Sequence, residues 1–148
     1  MILLDTNILA RITNSRDPLC VPSRNAVDRL RVGGEQLIIV PQNLYEFWAI
    51  ATRPPGNPPA GENGLGMSTE RAKAWAQFFC RRFVLLADRE ELSGVWLSLV
   101  ASKRVTGYKC HDARLVAAMN TYQIQRILTL NRADFAALGI TVVDPRSV

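Results

Sequence analysis

Short apolar runs alternate with segments of helical period along the whole chain, and this alternation restricts the fold more than any other feature. The runs occupy residues 2–4, 37–40, 83–87, 127–130 and 141–143. Each is too short for a helix, and each is followed by a polar residue or a turn. Strands that alternate with helices form a parallel sheet covered on its faces. Among the helical segments, 90–103 is the clearest, with Leu92, Val95, Trp96, Leu99 and Val100 on one stripe. A second stripe, Ala72, Trp75, Ala76, Phe79 and Phe83, is entered from Ser68. Leu44, Phe47, Trp48 and Ala51 mark a helix after Pro41, and a weaker one near 22–32 stops at Gly33-Gly34. The spacing assigns these tryptophans and phenylalanines to the core rather than to stacking against bases. The reading predicts a single domain over residues 1–148.

Acidic residues sit at the ends of these runs. Asp5 closes the first run, Glu46 follows the second, Asp112 opens a helical pattern and Asp134 lies just after the fourth run. Parallel strands would bring at least three of these carboxylates to one edge of the sheet, where open α/β folds place their ligand crevice. Each residue also has a purely structural explanation. Asp5 could cap the helix that starts at Thr6 or Asn7. Glu46 alone reads as an exposed helical glutamate. Asp112 shares a face with the apolar Leu115, Val116 and Met119, which suits a residue near the free amides and positive dipole end of a helix. Asn131 and Asp134 have the spacing of a capping box, closed downstream by Gly139.

Together, the four acids are harder to explain this way. Two carboxylates 4 Å apart repel by roughly 4 kcal/mol at an effective dielectric of about 20. A group of them spreads apart, takes up protons or binds a cation. Oxygen ligands without thiolates favour Mg²⁺ or Mn²⁺ over zinc, and such an ion suits hydrolysis of a phosphodiester by an activated water. The net charge of +5 comes almost wholly from arginine, 15 Arg against 3 Lys, and the guanidinium fork matches phosphate. Arg11, Arg53, Lys109, Arg114 and Arg132 are the candidate backbone contacts, with Arg132 favoured. His111 is adjacent to Asp112 but points about 100° away on a helix, which disfavours it as a general base.

Cys20, Cys80 and Cys110 show no pairing or C-x-x-C spacing, so a reducing, cytoplasmic compartment is expected. No signal peptide or membrane span is expected. The proline- and glycine-rich stretch 54–66 reads as a surface loop, either a lid over the site or a tolerated insertion.

Four segments taken in order resemble a known family. Leu4-Asp5-Thr6-Asn7-Ile8-Leu9, Glu46 in its helix, His111-Asp112-Ala113 and Thr129-Leu130-Asn131-Arg132-Ala133-Asp134-Phe135 are similar to the motifs of the PIN domain, and more narrowly to VapC-type toxin ribonucleases. The resemblance spans nearly the whole chain. It implies a three-layer α/β/α sandwich around a parallel sheet of four or five strands, and Mg²⁺- or Mn²⁺-dependent endoribonuclease activity on an RNA substrate. It also implies a homodimer and a small VapB-like antitoxin that blocks the site. Carried over by motif, Asp5, Glu46, Asp112 and Asp134 are the catalytic, metal-binding acids, supported by Thr6, Asn7, Thr129 and Asn131. Many relatives carry an acid where Asn131 stands. Two rival readings remain: a phosphotransferase with Asp5 as nucleophile, for which the second aspartate of D-x-D is missing, and a non-catalytic RNA- or protein-binding module of the same fold.

Overall fold

The computed structural model describes residues 1–56 and 64–148. Among these residues, five parallel strands form one sheet: β1 (Ile2–Leu4), β2 (Leu37–Ile39), β3 (Val84–Leu85), β4 (Arg126–Leu128) and β5 (Thr141–Val143). Their order is β3-β2-β1-β4-β5. The register sets Ile2 beside Leu37 and Leu3 beside Ile127. Among the described residues, seven α-helices cover the sheet: α1 (Thr6–Thr13), α2 (Cys20–Val32), α3 (Pro41–Thr52), α4 (Thr69–Arg82), α5 (Leu92–Ser102), α6 (Cys110–Thr121) and α7 (Arg132–Ala137). The expected three-layer α/β/α sandwich is the one observed.

The two-residue period of a strand explains the layers. Ile2, Leu4, Leu37, Ile39 and Leu128 point to one face, where they meet Ile8, Leu9, Ala26, Val27, Phe47, Ala72 and Phe79 from α1–α4. Leu3, Ile38, Val40 and Ile127 point to the other, against Leu92, Leu115, Val116, Met119 and Phe135 from α5–α7. The central strands are buried on both sides and therefore read as continuous apolar runs. The Phe47 ring packs edge-on against Phe79 with centroids 5.0 Å apart, and Phe83 stacks on Phe79 at 6.1 Å.

Chain order makes the crevice. From β1 the chain steps outward through β2 to β3, then crosses back to β4 on the opposite side of β1. Connections thus leave β1 and β4 toward opposite faces, which opens a gap at their carboxyl ends. Asp5 and Thr129 follow these two strands directly.

Three sequence expectations need correction. The run at 83–87 forms only the two-residue β3, because this edge strand pairs with β2 alone and its Val84 and Leu85 are exposed. Phe83 instead ends α4 and faces the core. Trp48 is 40% exposed rather than buried, since α3 turns Phe47 and Ala51 inward and leaves Trp48 outside. The capping box at Asn131 does not form: the Asn131 side chain makes no cap hydrogen bond, and Asp134 pairs with Lys109. Ser68 does cap α4, accepting from the Arg71 N–H at 3.2 Å.

The three cysteines are free thiols. Among the described residues, no helix is long and apolar enough to cross a membrane. Most of the proline- and glycine-rich stretch, residues 57–63, lies outside the described residues. On its far side, the Leu65, Gly66 and Met67 N–H groups donate to the carbonyls of Ile50, Arg53 and Ala51, which ties the chain back onto the end of α3.

Candidate metal centre at the carboxyl edge of the sheet

Asp5 occupies the N-cap position of α1 but makes no side-chain cap bond. Its carboxylate turns toward β4 instead. Oδ2 accepts from the Thr129 hydroxyl at 2.5 Å and from Asn7 Nδ2 at 2.7 Å. Asn7 Nδ2 also donates to Thr129 Oγ1 at 3.1 Å, and the Asn131 main-chain N–H donates to the same oxygen at 2.9 Å. Thr129 therefore fixes Asp5 across the crevice and also anchors the main chain at Asn131 in the last motif. Asp5 is 5% exposed. Burial pushes its carboxyl up to about 6; the Thr129 bond opposes the rise, and the charges of Asp112 and Glu46 add to it.

Glu46 is held at both oxygens. The Thr6 hydroxyl donates to Oε2 at 2.7 Å, and Gln42 Nε2 donates to Oε1 at 2.7 Å. Thr6 is itself fixed by Asn43, whose Nδ2 donates to Thr6 Oγ1 at 3.2 Å and to the Leu4 carbonyl at 3.0 Å. Asn43 Oδ1 accepts from the Val40 N–H at 2.8 Å. One buried amide thus joins the ends of β1 and β2 to the first turns of α1 and α3.

Asp112 lies in the first turn of α6, half-buried, and makes no side-chain hydrogen bond or ion pair among the described residues. Burial raises its pKa, and the Asp134 and Glu46 charges raise it further. Asp134 lies in the first turn of α7, with Lys109 Nζ 3.1 Å from its Oδ1. Asp5, Glu46 and Asp112 therefore lie within electrostatic reach of one another, and Asp134 reaches the group through Asp112.

Among the described residues, no three Asp, Glu, His or Cys side chains close around one point as a finished ligand set. Glu46 is tethered by Thr6 and Gln42, and Asp134 by Lys109. The residues nonetheless fit a hard divalent cation. The donors are all oxygen, and the acids repel one another in a poorly solvated crevice. Asn7 Oδ1 is also buried there without a hydrogen-bond partner. Asp5, Glu46 and Asp112, with Asp134, are the side chains that would hold such an ion. Asn131 contributes its main-chain N–H to Thr129, while its side chain is exposed.

The cationic candidates differ. Arg114 is engaged, with Nη1 donating to Gln42 Oε1 at 2.9 Å and Nη2 to Asp88 at 2.6 Å. Arg11 pairs with Asp17. It also lines a cleft of about 550 Å³ with Asn7, Asn14, Ile50 and Arg53, which runs along α1. Arg132 is exposed at the start of α7. Asp144 is held at about 2, chiefly by Arg146, with Arg132 contributing at longer range. His111 is exposed, and its main-chain oxygen, not its ring, faces the site by accepting from Gln42 at 2.8 Å. Gln42 and Asn43 are the residues the sequence reading missed. The i, i+4 spacing of Gln42 and Glu46 was the available signal.

Comparison with solved structures settles the fold. FitAcB from Neisseria gonorrhoeae superposes with a TM-score of 0.70 over 100% of both chains, at 14% identity. VapC20 from Mycobacterium tuberculosis, a sarcin-ricin loop cleaving toxin, gives 0.66 over 95% of this chain and 97% of its own, at 19% identity. The chain has the PIN fold. VapBC2 from Rickettsia felis, bound to a promoter DNA fragment, gives 0.67 at 14% identity over 97% of this chain and 98% of that one. At such identities the likeness concerns the fold. No protein-family model matches the sequence, and no curated protein matches it either. Within the PIN fold, the crevice between β1 and β4 holds Asp5, Glu46 and Asp112.

Proposed function

We propose that the chain is a divalent-metal-dependent endoribonuclease, the toxin of a VapBC-like toxin–antitoxin pair. The observation that carries this reading is the Asp5 carboxylate, its pKa raised chiefly by burial and further by the charges of Asp112 and Glu46 in the same crevice. Mg²⁺ or Mn²⁺ bound there would neutralise phosphate charge and lower the pKa of a bound water, making a nucleophile at neutral pH. The protein supplies the rest. Thr129 and Asn7 fix Asp5, Thr6 and Gln42 fix Glu46, and the first turn of α6 presents Asp112 to the crevice. Arg53 and Arg11, which line one cleft beside α1, would hold backbone phosphates of an RNA strand, Arg11 by exchanging its Asp17 partner for phosphate. Deep burial excludes water from one side of Asp5 and strengthens every charge interaction made there.

A toxin role draws support from similar folds described as toxin–antitoxin complexes, including one from Klebsiella pneumoniae at 18% identity. A protein partner suits the exposed Tyr45 and Trp48 on α3 and Phe78 on α4. Such a partner would be a small VapB-like antitoxin, with a second copy of the chain completing a homodimer. Three unpaired thiols suit a cytoplasmic setting.

The test is cleavage of defined RNAs by the purified protein with Mg²⁺ or Mn²⁺. Cutting should stop with EDTA and should fall by about 100-fold or more in Asp112→Asn, as expected for loss of preorganised electrostatic stabilisation. Cutting that persists through both treatments would reject the mechanism. The Lys109–Asp134 pair, which occupies one acid with a cation already present, favours a second reading: a non-catalytic RNA- or protein-binding module. That reading predicts binding indifferent to EDTA and to Asp112→Asn, with no new RNA ends.

A further inference from the structure

Gln42 touches Glu46 and the backbone that leads into Asp112 at once. Its side chain is buried in the first turn of α3. Nε2 donates to Glu46 Oε1 at 2.7 Å and to the His111 carbonyl at 2.8 Å. Oε1 accepts from Arg114 Nη1 at 2.9 Å, and the other Arg114 nitrogen is anchored on Asp88 at 2.6 Å. His111 immediately precedes Asp112 in α6. A single carboxamide therefore spans Glu46 and the backbone that carries Asp112, joining α3 to α6 across the mouth of the crevice.

We propose that Gln42 is a positioning residue that sets the spacing between Glu46 and Asp112 for a shared divalent cation. The inference rests on the metal-dependent reading above. Like charges drive Glu46 and Asp112 apart when no cation lies between them, and the Gln42 bridge opposes that spreading before the ion arrives. The amide suits the position because it is neutral and presents donors to a carboxylate and a carbonyl together. A lysine there would compete with the cation, and a carboxylate would repel Glu46. Arg114 donates to the amide oxygen, which polarises the group and strengthens its N–H donors. Partners that orient metal ligands in this way typically change metal affinity by about 10- to 100-fold when removed.

The experiment uses Gln42→Met and Gln42→Leu, which keep similar volume but donate nothing. Mn²⁺ binding is measured by calorimetry on the full chain without RNA, alongside urea unfolding of the metal-free protein. RNA half-saturation is then measured at saturating Mn²⁺. The expected result is a Mn²⁺ Kd raised about 10- to 100-fold, with RNA half-saturation unchanged once the metal is saturating. Gln42→Asn, a neutral amide one methylene too short to span Glu46 and the His111 carbonyl, serves if the apolar variants fail to fold, and the same loss is expected. Unchanged Mn²⁺ affinity in the folded variants overturns the proposal, as does a lowered unfolding midpoint with no change in Mn²⁺ affinity. Wild type that binds Mn²⁺ while the variants bind it equally well refutes the role of Gln42 alone. Wild type that takes up no Mn²⁺ refutes this proposal and the metal-dependent reading together.

Discussion

Asp5→Asn separates the stability of the site from its activity. In the folded chain, the Asp5 carboxyl is raised from 3.8 to about 6, chiefly by burial. That difference corresponds to about 3 kcal/mol between the two protonation states. The folded value lies above the unfolded one, so the folded state holds this proton more tightly. Stability from this group is fully present below about 4 and is lost as pH rises through about 6. Asparagine keeps an oxygen that can accept from Thr129 and Asn7, and it points an amide rather than a charge toward Asp112 and Glu46. With EDTA present at pH 7.5, Asp5→Asn should therefore be more stable than wild type, by up to about 3 kcal/mol. The net gain is smaller where hydrogen bonds to the charged form are weakened. The expected rise in Tm is about 2–4 °C per kcal/mol for a chain of this size. Near pH 4 the advantage should vanish. Saturating Mn²⁺ should stabilise wild type, by about 2.7 kcal/mol at a hundredfold excess over Kd, and leave the variant unmoved. Urea or thermal unfolding at both pH values, with EDTA and with Mn²⁺, reads all of this. A variant less stable than wild type at pH 7.5, or a difference that does not depend on pH, would refute the reasoning.

Two further substitutions test the scaffold. Phe79→Ala removes a fully buried ring that packs against Phe47, Trp75 and Phe83, and should cost about 3–5 kcal/mol by urea unfolding. A cost below about 1 kcal/mol would mean that α4 does not close this layer. Asn43→Ala leaves the Val40 N–H and Leu4 carbonyl unpaired and frees Thr6. It should cost at least about 2 kcal/mol and weaken cleavage by loosening Glu46 through Thr6. Wild-type stability in this variant would show that the junction is held by other groups.

The central strands were legible in the sequence because they are buried on both faces, and continuous apolar runs at 2–4, 37–40 and 127–130 say so directly. The edge strand β3 was overestimated because Phe83, which belongs to the end of α4, continued the apolar pattern into it. Asp5 and Glu46 were legible as acids at strand ends, since a parallel sheet brings all such ends to one side. Their supports were not. Gln42 and Asn43 look like ordinary polar residues in a first helical turn. Only the sheet order, which sets β2 beside β1, buries Asn43 against Thr6 and the Leu4 carbonyl, and only the packing of α6 beside α3 brings the His111 carbonyl and Arg114 to Gln42. The Lys109–Asp134 pair was equally hidden, because α6 and α7 come together only once β4 is inserted beside β1. Local capping chemistry favoured a box at Asn131, and a neighbouring ammonium outcompeted it for Asp134.

A divalent cation shared by Asp5, Glu46 and Asp112 between β1 and β4 is what the proposed nuclease requires above all. Anomalous scattering from crystals of the protein grown with Mn²⁺ tests it most directly. A strong peak is expected in that crevice, with the Asp5 and Asp112 carboxylate oxygens at coordinating distance. A peak only elsewhere on the chain, or an empty crevice at saturating Mn²⁺, would contradict it.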